Sequence, residues 1–530
     1  MKVKNKIKQI LSIIVTAMMM MSLFTVTAFA EGDPTLKIKA TLETGEQISY
    51  RAYRIFDATP NNGEFVFSVN GKFNDKLTGA DITKVRNYTD NSDKLKSFAN
   101  ELSEYIAKNA SKTFDTVDLN ANVAGTVKPG YYLIRQISST SAWVPDNPLI
   151  VQVTSNTEID AKVNKPTSNK YIIKDGEVKH STENIKDRVT YELQADVPAY
   201  TGETVEQNVI FYLTDTLSKG LTVDSESNIT VYGNGSFSSD AVTGTKIDPS
   251  NYDVRYYQDN VEVTDVASLV EGKETKILID FTGHYSAIKD YVGAVASGKG
   301  LRVVYSAKLN EQAVIGVDGN PNKVHLTYTN NPATTHKYDA EGNPVNPDEP
   351  TPSDTPEGTT NTPDEEVITY TYELNIIKIS DEEVESGTPK KLEGVTFSIK
   401  DEKGNKIDEK ETDANGKISF VGLEAGHTYT IKEEATLSGY IYNGQEIKFT
   451  ISNYTQDTNK KGNVTYRVDN LGTLTNVAHD GNNTITVTNP KGFNLPQTGG
   501  MGTWMFTIGG LVLMAGALVV FVSSRKKANK

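Results

Sequence analysis

From residue 31 to about residue 490 the chain repeats one pattern. Short runs of alternating apolar and polar residues are separated by clusters of Gly, Asn, Asp and Pro, as in VIFYLTDTL, KVHLTYTN, TYTIKEE and NTITVTN. A period of two places alternate side chains on opposite faces of a pleated strand, so each run offers one face to a core. Many such runs, with turn signals between them, predict an all-β chain of sandwich domains. The 26 Tyr and 17 Phe, with abundant Val, Ile and Thr, favour the same fold class. One segment departs from it. In NSDKLKSFANELSEYIAKNA, Leu95, Phe98, Leu102 and Ile106 recur at helical spacing and predict a helix. The stretch NPVNPDEPTPSDTPEGTTNTPDEE has no core-forming pattern and reads as a loop or linker.

Several runs break the alternation in the same way, by placing a polar residue on the apolar phase. Lys378 shares its phase with Ile368, Tyr370, Tyr372, Leu374 and Ile376; Glu433 with Tyr429 and Ile431; Asn489 with Ile485 and Val487. A second set repeats the design: Lys170 is in phase with Ile172, Asp215 with Val209, Phe211 and Leu213, and Asn330 with Val324, Leu326 and Tyr328. Lys174 and Asn331 are the competing choices in this set. A lone charge or amide in a core is costly, so the members of each set are expected to meet. Burial lowers a lysine pKa and raises that of a carboxylic acid. A neutral Lys378 amine would then attack the Asn489 carboxamide, with protonated Glu433 polarising it and moving protons as ammonia leaves. Asp215 would serve Lys170 and Asn330 in the same way. The plain alternative is a hydrogen-bonded polar cluster, or surface residues whose phase is accidental. In the first segment, Lys37 or Lys39 with Asn156 is a poorer set.

The two ends carry export signals. Lys2, Lys4, Lys6 and Lys8 precede an apolar run, and Ala28-Phe29-Ala30 has the small-x-small form of a signal peptidase site, which starts the mature chain at Glu31. Near the other end, the apolar run Trp504 to Val522 reaches about 28 Å as a helix, enough to cross a bilayer. Arg525, Lys526 and Lys527 follow it as a cytoplasmic stop. The absence of cysteine means that disulfides do not staple this exported chain. Net charge is −14, and the two terminal pieces hold four positive charges each and no acids, so their removal leaves −22. That balance argues against nucleic acid as a partner.

Leu495-Pro496-Gln497-Thr498-Gly499, ahead of the apolar run and basic tail, resembles the LPxTG sorting signal of Gram-positive surface proteins. The resemblance implies that sortase cuts between Thr498 and Gly499 and passes the threonine acyl group to an amine. YTIKEEATLSGY, Tyr429 to Tyr440, resembles the E-box YxLxExxAPxGY of pilin and collagen-adhesin B-type domains, with Thr436-Leu437 in place of Ala-Pro. TDTLSKGLT and YTNNP resemble segments of the middle domain of major pilins, where Asp replaces the Glu. These resemblances imply tandem immunoglobulin-like (Cna B-type) sandwiches with internal Lys–Asn isopeptide bonds. The implied bonds are Lys378–Asn489 with Glu433 as catalyst and Lys170–Asn330 with Asp215. The implied layout is a signal peptide (1–30), an N-terminal domain (31–165), a middle domain (166–372), a C-terminal domain (373–490) and a sorting segment (491–530).

The family's pilin motif ends in YPKN. Counting back from Pro166 places Lys162 at the acceptor lysine, with Lys165 as rival; Asp160-Ala161 replaces the Tyr-Pro. The expected function is therefore that of a structural backbone subunit of a sortase-assembled, peptidoglycan-anchored pilus, with an ancillary pilin or a monomeric matrix-binding adhesin as the alternative. Its expected partners are pilus-assembling and housekeeping sortases, copies of itself, minor pilins, peptidoglycan and, in the adhesin case, a host surface ligand. Enzyme motifs do not appear: there is no HExxH, GxSxG or phosphate-binding Gly loop. DGNPNK faintly resembles a calcium loop but lacks the later acid, so no metal and no cofactor are expected.

Overall fold

The computed structural model describes residues 32–88, 92–109, 111–139, 144, 148–160, 165–200, 209–238, 241–330, 337–338, 344–345, 351–352, 355–384, 387–492 and 502–527. Two compact units divide at Thr371/Tyr372. The sequence boundary between the middle and C-terminal domains falls within a residue of that point. The boundary at 165/166 runs through the first unit, which contains several separate cores.

The N-terminal part of the first unit is built on two long antiparallel strands, β1 (Ile48–Asn61) and β2 (Gly130–Ser139). Glu64–Val69 and Thr116–Asn120 pair with β1, and Leu149–Val153 with β2. One face packs against two helices, α1 (Gly79–Asn87) and α2 (Ser92–Lys108). The helical stripe read from the sequence is the buried face of α2: Leu95, Phe98, Leu102 and Ile106 all lie in this core. Helix α1 escaped the sequence reading because only Asp81 and Val85 are buried along it. Its start was nevertheless written in a T-x-x-D capping box: the backbone N–H of Thr78 donates to Asp81 at 2.8 Å and its hydroxyl at 2.9 Å. The other face packs Ile48, Tyr50 and Tyr132 against Leu36 and Ile38 of a small three-stranded sheet.

The middle part is a two-sheet sandwich. One sheet runs from β3 (Ser168–Ile173) through β4 (Arg188–Ala195) and β6 (Leu301–Leu309) to Thr230–Ser238. The other centres on β5 (Phe211–Leu217) and β7 (Gly316–Thr329), with Thr275–Asp280 beside β5. The first residues of β8 (Glu365–Glu383) pair with β7. The core between the sheets is almost fully buried: Tyr191, Leu193, Phe211, Leu213, Val303, Leu326 and Tyr328 are exposed by 0%.

The second unit is also a sandwich. Its first sheet takes residues Tyr372–Ile377 of β8 against Lys417–Leu423 and Asn375–Ser380 against the parallel β10 (Thr484–Asn489). Its second sheet carries β9 (Thr428–Ala435) between Thr396–Lys400 and Glu446–Ile451. Helix α3 (Gly502–Lys527) follows, and Met505–Arg525 within it is long and apolar enough to cross a membrane, with mean hydropathy 2.4. The described secondary structure is thus mainly strand, as expected. Ala28, Ala30, Lys162, Asn331 and the sorting residues Leu495 to Gly499 lie outside the described residues.

Candidate functional site: two buried lysine, acid and amide clusters

In the second unit, alternation delivers three polar side chains to one point. Lys378 comes from β8, Asn489 from the parallel neighbour β10, and Glu433 from β9 of the facing sheet. Register brings Ser380 opposite Asn489 and Lys378 opposite Val487, so the lysine and the amide lie diagonally on one face. Gly416 presses on the β8 backbone here. Its carbonyl accepts from the Lys378 N–H at 2.7 Å, and a Cβ at its φ of +68° would strike the Lys378 carbonyl oxygen at 2.3 Å.

All three functional side chains are buried, with 0–1% exposure. The Lys378 ammonium donates to Asn489 Oδ1 and lies 3.0 Å from Glu433 Oε2. Asn489 Nδ2 donates to Glu433 Oε1 at 2.6 Å and to the Thr436 hydroxyl at 2.7 Å. This network fixes the amide with its oxygen on the lysine and its nitrogen on two acceptors. Burial pulls the Lys378 pKa down to about 8, against the pull of the Glu433 charge. The arrangement has what acyl transfer within a protein needs: a readily deprotonated amine on the carboxamide, and an acid bridging the nucleophile and the leaving nitrogen.

In the middle sandwich, Lys170 of β3 meets Asp215 of β5 across the core, both at 0% exposure. The Lys170 ammonium donates to Asp215 Oδ1 and lies 5.0 Å from the Tyr191 ring centroid and 5.5 Å from that of Tyr305. Burial lowers the Lys170 pKa to about 8, opposed by Asp215, and raises that of Asp215. Lys174, the competing lysine, is at the surface side of the strand end, 3.0 Å from Glu183 and 2.6 Å from the Thr182 carbonyl.

The amide of this set is not where the sequence put it. Asp215 pairs with Val324, and Asn330 stands six residues further along the chain, just past the end of β7 and about 20 Å away at strand rise. Asn330 is buried, but there its backbone carbonyl accepts from Gln136 Nε2 at 3.1 Å, far from Lys170. The amide that reaches the cluster is Asn322, opposite Leu217 and diagonal to Asp215. Asn322 is 0% exposed, its Nδ2 donates to the Tyr305 hydroxyl at 2.7 Å, and Tyr305 in turn donates to Asp215 Oδ2. Asn322 Oδ1 is buried and accepts no hydrogen bond among the described residues. Asn322 shares the phase of Val324, Leu326 and Tyr328 just as Asn330 does.

Asn322 was missed because it lies in DGNPNK, where Gly and Pro read as a turn. The strand instead runs on to Gly316 through a register shift between Gly316 and Asn320. Gly319 makes this possible: φ is +67°, and a Cβ would lie 2.5 Å from Ile368 and 2.6 Å from Tyr370.

The remaining candidates among the described residues lie on surfaces. Lys37 and Lys39 pair with Glu158, Lys39 also with Asp160, and the Asn156 side chain accepts from the Thr35 N–H. That poorer set is not a buried cluster. Lys165 is partly exposed and its amine is 2.8 Å from Glu43.

Comparison with known proteins adds an independent line. Residues 375–466 match the SpaA family of prealbumin-like fold domains, and residues 487–529 match the LPXTG cell wall anchor motif. The trypsin-resistant surface T6 protein of Streptococcus pyogenes serotype M6 is 26% identical over 401 residues, covering 66% of this chain and 67% of that protein. The chain is a cell-wall-anchored surface protein, and it is similar to pilins. Among solved structures, the T6 backbone pilin of serotype M6 Streptococcus pyogenes resembles this chain over 87% of this chain's length and 99% of its own, with TM-score 0.53 and 19% identity. The major pilin SpaA of Corynebacterium diphtheriae is a looser match, with TM-score 0.45 and 14% identity over 87% of this chain and 100% of that one. These relatives are structural pilins, not enzymes.

Proposed function

We propose that this protein is the backbone subunit of a covalently polymerised pilus, welded internally by Lys378–Asn489 and Lys170–Asn322 isopeptide bonds. The observation that carries the reading is the buried Lys378, Glu433 and Asn489 triad, in which the amine, the acid and the carboxamide already touch. A surface anchor alone has no use for a buried lysine held near neutrality. Each bond forms once, as ammonia leaves, and needs no cofactor. Polymerisation is sortase work: cleavage after Thr498 passes the threonine acyl group to Lys162 of another copy, and the last subunit passes to peptidoglycan. The two welded sandwiches lie between that acceptor and Thr498 in the chain, so they are the parts through which tension would pass. The wall-anchor match and the pilin-type relatives support the export and assembly parts of this reading.

The test is a cell-wall extract run in hot detergent. The wild type should give a ladder of covalent multimers, and Lys162→Ala should collapse it to monomer. A ladder lost only on Lys165→Ala would move the acceptor to Lys165. No ladder in the wild type would leave a single anchored molecule and overturn the backbone reading.

A further inference from the structure

The middle cluster contains a group that the sequence argument never used. In the second unit Glu433 spans the reaction by itself, 3.0 Å from the lysine nitrogen through one oxygen and 2.6 Å from the asparagine nitrogen through the other. Asp215 is one methylene shorter. Its Oδ1 holds Lys170, while its Oδ2 accepts from Tyr305, and the same Tyr305 oxygen receives Asn322 Nδ2 at 2.7 Å. The hydroxyl occupies the gap that the shorter acid leaves. Tyr305 is held there firmly: it is 1% exposed, pairs opposite Tyr191 across β4 and β6, and its ring lies 5.4 Å from that neighbour.

We propose that Tyr305 is a catalytic residue of the middle crosslink, relaying a proton from Asp215 to the departing nitrogen of Asn322. This rests on the crosslinking reading of Lys170 and Asn322 given above. The steps balance. Lys170 first gives one proton to Asp215 and becomes a neutral amine. The amine attacks Cγ of Asn322, forming the new N–C bond. In the tetrahedral intermediate the protonated Asp215 donates to the Tyr305 oxygen as the Tyr305 O–H turns to Nδ2 and protonates it. The Cγ–Nδ2 bond breaks and ammonia leaves. The former amine then loses its surplus proton to Asp215, which ends as a neutral acid beside the new amide. Burial raises the Tyr305 pKa well above its usual value, so the phenol stays protonated between transfers and acts as a conduit rather than a base. Burial also favours the protonated Asp215 that remains once the lysine charge is gone.

The test uses the full chain, digested and searched for crosslinked peptides by mass spectrometry after a timed chase of newly made protein. The Lys378–Asn489 peptide in the same molecule is the internal reference. The wild type should contain both crosslinks. Tyr305→Phe should keep Lys378–Asn489 and lose Lys170–Asn322, and adding Asp215→Glu to Tyr305→Phe should restore part of it, because the longer acid reaches the amide as Glu433 does. A merely structural tyrosine would not be rescued this way. Formation of the Lys170–Asn322 peptide in Tyr305→Phe at the wild-type rate would overturn the relay and leave the crosslinking reading standing. Its absence from the wild type would overturn the crosslinking reading, and the relay with it. If Tyr305→Phe leaves the middle sandwich unfolded, 3-fluorotyrosine placed at 305 keeps the shape and the hydrogen bonds but is a stronger acid. It should change the rate of the middle crosslink severalfold, and an unchanged rate would overturn the relay.

Discussion

The middle sandwich and the C-terminal sandwich place the same trio of functional groups by different geometry. In the C-terminal one, lysine and asparagine sit on adjacent parallel strands of a single sheet, and the acid reaches across from the other. In the middle one, the lysine is on one sheet, and the acid and the amide are on the facing one. A long acid suffices where the amine and the amide are neighbours. A short acid beside the amide needs a hydroxyl from the lysine's own sheet to complete the circuit. The acid's length and the strand that carries the amide therefore change together. Exchanging Asp and Glu between the sites is not conservative unless Tyr305 is considered with them.

The largest effects should come from removing one weld at a time. Glu433→Ala should bring the intact mass one ammonia closer to the mass of its own sequence through loss of Lys378–Asn489, and Asn322→Ala should abolish Lys170–Asn322. Each weld closes a loop of more than a hundred residues, and on the loop-entropy account its loss costs about 4–5 kcal/mol in denaturant unfolding. Asn330→Ala should leave both crosslinks and shift stability by no more than about 1 kcal/mol. If Asn330→Ala removes the middle bond and Asn322→Ala spares it, the two sites are not related as described.

That same contrast shows how far the sequence could be read. Lys378, Glu433 and Asn489 were legible because each ends an unbroken alternating run, so phase alone put them on the core face. Lys170 and Asp215 were legible for the same reason. Asn322 was hidden because phase says which face a residue takes but not how far along the strand its partner lies. The register of β5 against β7, which sets Asn322 opposite Leu217, is a tertiary fact, and so is the shift of β7 against β8 between Gly316 and Asn320. Tyr305 was hidden for a different reason: a tyrosine on an apolar phase, in LRVVYSAKL, looks like core, and only the position of its oxygen shows otherwise. Helix α1 was signalled only by its cap.

A smaller effect should appear with pH. In Asn489→Ala the Lys378 amine stays free and buried, with a pKa of about 8 against about 10.4 in an unfolded chain. Between those values the unfolded chain binds more protons than the folded one, so stability rises with pH across the window and is flat below it. The gain should be about 3 kcal/mol between pH 7 and pH 11, after subtraction of the same curve for the wild type. The wild type has no such amine once crosslinked, so subtraction removes every other titration common to the two. Asn322→Ala should show a similar rise from Lys170, whose pKa is also about 8. A flat difference curve in either variant would mean that its lysine is charged as easily inside as outside, and that burial does not prepare it for attack.

The smallest effect separates the roles of the two hydroxyls. Thr436 stands where the E-box has alanine, and its oxygen receives Asn489 Nδ2 at 2.7 Å, the same distance at which Tyr305 receives Asn322. But Glu433 already holds that nitrogen, at 2.6 Å, so Thr436 orients the amide without being the route of the proton. Losing one such hydrogen bond is worth about 1 kcal/mol, or roughly a fivefold slower reaction. Thr436→Val should therefore slow the Lys378–Asn489 crosslink by about that factor in a timed chase, yet carry it to completion, and Thr436→Ser should restore the rate. Complete loss in Thr436→Val would make the hydroxyl as necessary here as at position 305. Glu433 would then not bridge its partners alone, and acid length would no longer account for the difference between the sites.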